Sequence, residues 1–228
     1  MLKPQASATR ELLNLDGLWQ FKVDFKDEGF NQNWAAKPLE TELQAAVPAS
    51  YNELFTDVAI REHVGWVFYQ RTVRVPRGFA GERILVRVDA ATHEGIIFVN
   101  GTEAARHVGG YMPFSADISA HVSAAEEFVL TIAVNNVLTN ETVPPGRVVT
   151  RDDGTKQQTY LHDFYNYAGL ARSVHLFSVP RNSVEDVTVV TDFSGTKGQV
   201  SYEVVTTASA EVKTTLIDES QKVVATGT

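Results

Sequence analysis

His162 and Asp163 open the stretch of this 228-residue sequence in which polar groups able to do chemistry sit among aromatics. The stretch is Gln157 to Phe177, QQTYLHDFYNYAGLARSVHLF. An ionised carboxylate can accept from two hydroxyls at once, and a charged hydrogen bond contributes about 1.5–3 kcal/mol. A neighbouring imidazole can orient that carboxylate or line the same pocket. A buried strand does not need a His-Asp pair leading into it. A solvated loop does not need Phe164, Tyr165 and Tyr167 so close together. These residue types predict a loop held by its aromatics against another surface, with Asp163 directed out of the domain toward a polar ligand. A second reading stands beside it: Asp at a loop start also stabilises turns, and His162 also reads as a satisfied structural histidine. Asn166 and Tyr167 read as loop packing.

Few other residues compete for a chemical role. The six histidines, at 63, 93, 107, 121, 162 and 175, do not share a metal-ligand spacing with another ligand type, so no metal site is expected. There is no G-x-G-x-x-G, P-loop, G-x-S-x-G or H-E-x-x-H. Arg71 and Arg74 read as solvated strand-edge charges rather than anion ligands. Two glycosylation sequons occur, at Asn100 and Asn140.

The elements that must position the loop read as strands. Trp19, Phe21, Val23 and Phe25 alternate with polar residues, the period of a half-buried strand. Residues 27–39 read as a short helical excursion that tucks Trp34 onto a sheet, and residues 45–54 as a loop. Residues 63–76 place Trp66 and Phe68 on one face and Val67, Tyr69, Val73 and Val75 on the other, so both faces should be covered. Strands are expected over 83–89, 95–99, 102–108, 127–135 and 171–179. Asn100-Gly101 is a strong hairpin signal. From Val137 to Tyr160 the periodicity stops, which predicts a long irregular connection that is functional or mobile. Pro180-Arg181-Asn182 marks a boundary. Beyond it Val and Thr dominate, in four further strand-like runs that are too few to close a sandwich of about 100 residues.

Composition narrows the classes. A hydrophobic fraction of 43% supports a substantial core. The net charge of −8 argues against nucleic acid, which needs a surplus of Lys and Arg on one face. No apolar run approaches the length that spans a bilayer, so no membrane partner is expected. The absence of Cys and of a signal-peptide pattern in the first 20 residues favours a reducing, cytoplasmic compartment, the two sequons point instead toward secretion, and the compartment stays open.

Several motifs carry a resemblance. Leu15-Asp16-Gly17-Leu18-Trp19, His63-Val64-Gly65-Trp66-Val67-Phe68-Tyr69 and Gly109-Gly110-Tyr111-Met112-Pro113-Phe114 resemble segments of the β-glucuronidases of glycoside hydrolase family 2. His162-Asp163-Phe164-Tyr165-Asn166-Tyr167-Ala168-Gly169-Leu170, followed by Arg172-Ser173-Val174, is the most specific match. The resemblance implies an all-β chain. A jelly-roll, sugar-binding-like domain over 1–180 would be followed by the truncated start of an immunoglobulin-like sandwich over 181–228. A catalytic (β/α)8 barrel would be absent from this chain.

The chemistry implied is retaining hydrolysis of terminal β-D-glucuronides. It uses two carboxyl groups about 5–5.5 Å apart and no cofactor. No catalytic residue is expected here, since both carboxylates belong to the missing barrel. By the motif match, Asp163 would reach the sugar hydroxyls, with His162 beside it as a further substrate-binding candidate. The implied partners are the glucuronide, the barrel and further copies of the chain in a homo-oligomer, possibly a tetramer. Two other readings remain open: a free-standing carbohydrate-binding module, and a structural or assembly domain.

Overall fold

The computed structural model describes residues 3–163 and 165–227; Phe164, one of the three loop aromatics, lies outside them. The chain divides into two compact units, Pro4–Val179 and one that begins at Pro180.

In the first unit the elements run β1 (Leu12–Asn14), β2 (Gly17–Val23), β3 (Gln44–Val47), α1 (Tyr51–Leu54), α2 (Val58–Arg61), β4 (Trp66–Arg74), β5 (Arg83–Val88), β6 (Glu94–Val99), β7 (Thr102–Val108), β8 (Phe114–Asp117), β9 (Glu127–Asn135), β10 (Gly146–Thr150), β11 (Lys156–Tyr160) and β12 (Val174–Val179). A four-stranded sheet, β1-β12-β5-β8, faces a six-stranded sheet, β3-β2-β4-β9-β6-β7. This is a jelly-roll sandwich in an all-β chain. Alternation along each strand builds its core: Trp19, Phe21, Tyr69, Leu130 and Ile132 from the larger sheet meet Val86, Val88, Val174 and Leu176 from the smaller.

Both faces of β4 are covered, for different reasons. Val67, Tyr69 and Val73 point into the sandwich. Phe68 points outward into a second cluster with Trp34, Leu39, Ile96 and Phe98. The segment around the short 3₁₀ turn Trp34–Ala36 lies over this outer face. Trp34 packs edge-on against Phe68 at 5.3 Å, and Phe30 meets Trp66 at 4.9 Å. Gln70, buried on the same face, accepts from the Leu39 amide at 2.9 Å and donates to Thr131 at 3.0 Å. The polar side chain there is therefore satisfied. At the β6–β7 hairpin, Asn100 and Gly101 both take positive φ, 49° and 85°, the pair that a type I′ turn requires. The Asn100 side-chain Oδ1 also accepts from the Val129 amide at 2.9 Å.

The structure corrects four expectations. Residues 45–54 are not a loop: Ala45 and Val47 alternate inward as part of the edge strand β3, and Tyr51–Leu54 forms one helical turn. The residues are small and Pro48 interrupts them, so the alternation is faint. Phe25 does not continue the inner face. It lies beyond the end of β2 at 59% exposure, and Asp24 is buried instead, its carboxylate accepting the Glu28 and Gly29 amides at 2.8 and 2.9 Å. The last strand of this unit begins at Val174 rather than Ala171. Arg71 is more than a solvated charge: it donates to the Leu15 carbonyl at 2.7 Å and lies over the Trp19 ring.

The long irregular connection is also absent in part, because residues 146–160 form the β10–β11 hairpin. Most of its side chains are exposed or half-buried, so no apolar period betrays the strands. Backbone pairing and a turn hold it. Gly154 takes φ 83°, Arg151 N–H donates to the Thr155 carbonyl at 2.8 Å, and Asp153 accepts from the Thr155 amide.

The second unit contains two antiparallel pairs: β13 (Val184–Ser194) with β14 (Lys197–Thr206), and β15 (Thr214–Ile217) with β16 (Val223–Gly227). Val189, Val190, Phe193 and Val223 are exposed on them.

Candidate functional site

The sequence from Tyr160 to Leu170 leaves β11 and returns to the sandwich, and its two halves differ. The second half is locked. Ala168 and Leu170 are buried among core side chains. Two short segments grip the backbone between them. On one side the Tyr51 amide donates to the Ala168 carbonyl at 3.1 Å and the Ala49 amide to the Leu170 carbonyl at 3.0 Å. The Ala168 amide is shared between Ser50 Oγ at 3.0 Å and Asn52 Oδ1 at 3.2 Å. On the other side the Thr92 amide and hydroxyl both reach the Gly169 carbonyl, at 3.0 and 3.2 Å. Gly169 takes φ 99°, open to glycine at little cost.

The residue that fixes the entry to this locked half is polar. Asn166 is 1% exposed, and its Oδ1 lies 2.7 Å from Nε2 of His93, itself 2% exposed. Asn52 Nδ2 donates to the Asn166 carbonyl at 3.4 Å. Behind this layer, Asn136 donates to the Tyr51 hydroxyl at 2.9 Å and to the His63 carbonyl at 2.8 Å, and it accepts from the Gly65 amide at 2.9 Å. Burial lowers the His93 pKa; the hydrogen bond to Asn166 opposes the shift and nearby His162 adds to it. Burial likewise lowers His63, against the pull of its hydrogen bond to the Trp66 carbonyl. Tyr51 is pushed well above the usual phenol range, chiefly by burial.

The first half projects. Leu161 and Asp163 are exposed and His162 is half-buried. The His162 ring stacks on Tyr160 at 5.4 Å, with 20° between the planes. The Leu161 amide donates to the Pro145 carbonyl at 3.1 Å, which ties the entry side to the connection before the hairpin. Tyr165 and Tyr167 are 39% and 42% exposed and meet edge-on at 5.4 Å. The expectation that aromatics brace the loop is therefore corrected for these two. They alternate outward with Asn166 and Ala168 inward, so the brace is the buried amide and the small apolar residues. An open cleft of about 880 Å³ lies alongside, with Tyr160, Tyr165, His63, Arg61 and Lys156 among its lining. Asp163 stands outside that lining.

The arrangement presents one carboxylate, with an imidazole beside it in sequence, at the tip of a loop whose root is rigid. That suits holding hydroxyls in a fixed place, since a charged acceptor on a fixed root loses little freedom on binding. The sequence reading missed His93, Ser50, Asn52 and Asn136. Only polar residues at buried positions could have signalled them, and no fixed spacing connects them.

The sandwich matches known proteins closely. Residues 12–180 match the sugar binding domain of the glycosyl hydrolases family 2. The chain belongs to glycosyl hydrolase family 2. Within the family it is 42% identical over 233 residues to a β-glucuronidase of Paenibacillus borealis, covering 100% of this chain and 39% of that protein. It is 39% identical over 249 residues to a human β-glucuronidase, covering 100% of this chain and 38% of that protein. Among solved family 2 structures, a Lactobacillus rhamnosus β-glucuronidase superposes with a TM-score of 0.90 at 41% identity, over 99% of this chain and 38% of that one. A Ruminococcus gnavus β-glucuronidase in complex with D-glucuronic acid superposes with a TM-score of 0.91 at 32% identity, over 99% and 39%. The chain thus spans about two fifths of the length of these family 2 relatives.

Proposed function

We propose that this chain is the N-terminal portion of a retaining β-glucuronidase that hydrolyses terminal β-D-glucuronides, and that it positions the substrate. The observation that carries the proposal is the exposed carboxylate of Asp163, three residues from a buried, hydrogen-bonded anchor at Asn166. The β-glucuronidase relatives supply the substrate class. Glucuronate is an anion, so Asp163 faces the hydroxyl side of the ring, away from the sugar carboxylate. His162 lines the approach from its stack on Tyr160.

The acid/base and nucleophile are two carboxyl groups of a (β/α)8 barrel outside this chain, about 5–5.5 Å apart. The first unit, over 1–180, is the sugar-binding-like jelly roll. The second, over 181–228, begins an immunoglobulin-like sandwich. The exposed apolar residues Val187, Val189 and Phe193, which share one face of β13, support that assignment, because an isolated two-stranded pair is marginal in water and that face suits a facing sheet. Further copies of the chain complete a homo-oligomer.

Two assays test the reading. The isolated chain should be inert on 4-nitrophenyl β-D-glucuronide while the full-length protein hydrolyses it. Turnover by the isolated chain would place the catalytic carboxylates here and contradict the proposal. Calorimetric titration of D-glucuronic acid into the isolated chain separates the alternative of a self-sufficient carbohydrate-binding module, which would bind it unaided.

A further inference from the structure

We propose that His93 is a positioning residue for Asp163, acting through Asn166. This rests on the reading of Asp163 given above. Asp163 sits between two clamps: Leu161 held by the Pro145 carbonyl on the entry side, and Asn166 held by His93 on the exit side. Of the two contacts at Asn166, the one to His93 is short at 2.7 Å and the one from Asn52 is long at 3.4 Å. The His93 contact therefore sets where the amide sits. With the Asn166 oxygen toward the ring, Nε2 carries a proton and donates it to Oδ1.

The other nitrogen of the ring makes no competing bond. Nδ1 of His93 is buried with no hydrogen-bond partner among the described residues. An unpaired polar atom is costly to bury, and it leaves Nε2, 2.7 Å from Asn166, as the nitrogen through which the ring bonds to its surroundings. The Gly109-Gly110-Tyr111 segment closes over that side. A Cβ at Gly110 would stand 2.6 Å from Nδ1 and 3.1 Å from Thr92 Cγ2, so only glycine lets the backbone approach the ring. The Gly109 amide donates to the His93 carbonyl at 3.0 Å, and Tyr111 meets the ring edge-on at 6.0 Å. One face of His93 is thus fixed by the glycine pair, and the opposite edge aims its donor at Asn166. The glycine pair, His93 and Asn166 form a continuous path from the β7–β8 connection to the projecting loop. Misplacing a binding group by about 1 Å can cost on the order of 100-fold in rate, so a small swing of Asn166 is enough to matter.

The test is a double-mutant cycle in the full-length protein, read as kcat/KM on 4-nitrophenyl β-D-glucuronide with the melting temperature of every variant measured alongside. His93→Leu removes the donor and should lower kcat/KM by about tenfold or more. His93→Gln places an amide N–H near the Nε2 position and should restore activity to within about threefold of wild type. In an Asp163→Ala background, His93→Leu should cost less than about twofold, since its partner in function is gone. A purely structural histidine would show no such coupling. If Asp163→Ala is impaired while His93→Leu matches wild type, or if the two losses multiply undiminished, the positioning role is wrong and the reading of Asp163 survives. An unchanged rate for Asp163→Ala overturns both. If His93→Leu does not fold, Asn166→Ala takes its place in the same cycle with the same expected coupling.

Discussion

Gly169 and Tyr69 fit against each other only because residue 169 has no side chain: a Cβ there would run into the Tyr69 hydroxyl and meet the Tyr51 ring at 3.0 Å. Tyr69 is fully buried and packs on Phe21, 5.0 Å away ring to ring, so it has little room to retreat. This contact seats the returning half of the Asp163 loop on the aromatic core of the sandwich.

Gly169→Ala should therefore destabilise the protein by about 2–4 kcal/mol, combining overpacking with left-handed strain at φ 99°. Chemical denaturation followed by tryptophan fluorescence reads this directly, through Trp19, Trp34 and Trp66 in this unit. A midpoint equal to wild type would show that the loop seats itself some other way.

Asn136 should behave as a second anchor. Its side chain makes three hydrogen bonds, to the Tyr51 hydroxyl, the His63 carbonyl and the Gly65 amide, all at 2.9 Å or less. Asn136→Ala leaves three polar groups short of a partner and should cost about 2–3 kcal/mol. Tyr51→Phe removes only the hydroxyl and should cost distinctly less. Equal losses from both variants would mean that the Tyr51 contact carries the whole effect.

Acid should weaken the unit in a window set by histidines. Burial lowers the pKa of both His93 and His63 in the folded state. Unfolded histidine takes up a proton near pH 6.5, so below that pH the unfolded chain binds more protons than the folded one. The contribution is thus fully present above about pH 6.5 and is lost as pH falls through the lowered folded values. Melting temperature should begin to decline as pH falls below about 6.5, above the range where most carboxylates titrate. The double substitution His63→Gln with His93→Gln should flatten that decline. A slope that persists unchanged would locate the acid sensitivity elsewhere.

Much of the scaffold could be read from residue types, and the limits of that reading have physical causes. Trp19, Phe21 and Val23 showed period two because one face of β2 meets a core and the other does not. Asn100-Gly101 announced its hairpin because a two-residue turn needs positive φ at both positions. The β10–β11 hairpin gave no such pattern, since its side chains are mostly exposed or half-buried and the contacts that hold it are polar: the backbone ladder, and Gln158, which accepts from the Leu138 amide at 2.7 Å and donates to the Asn136 carbonyl at 3.1 Å. In the loop, sequence drew attention to the aromatics, yet Asn166 is the buried residue and Tyr165 and Tyr167 are half out. Its partner His93 lies 73 residues away, a separation that no local rule connects. Asp163 drew attention as a carboxylate after a histidine among aromatics, and the structure leaves it exposed at the projecting end of the loop.

The central claim is that Asp163 supplies a charged acceptor to a sugar held by another domain, and kcat/KM of full-length Asp163→Ala on 4-nitrophenyl β-D-glucuronide tests it most directly. The loss should be about 2 kcal/mol or more, roughly 30-fold, with the melting temperature within a degree or so of wild type because the side chain is exposed. A rate equal to wild type would show that the carboxylate never meets the substrate.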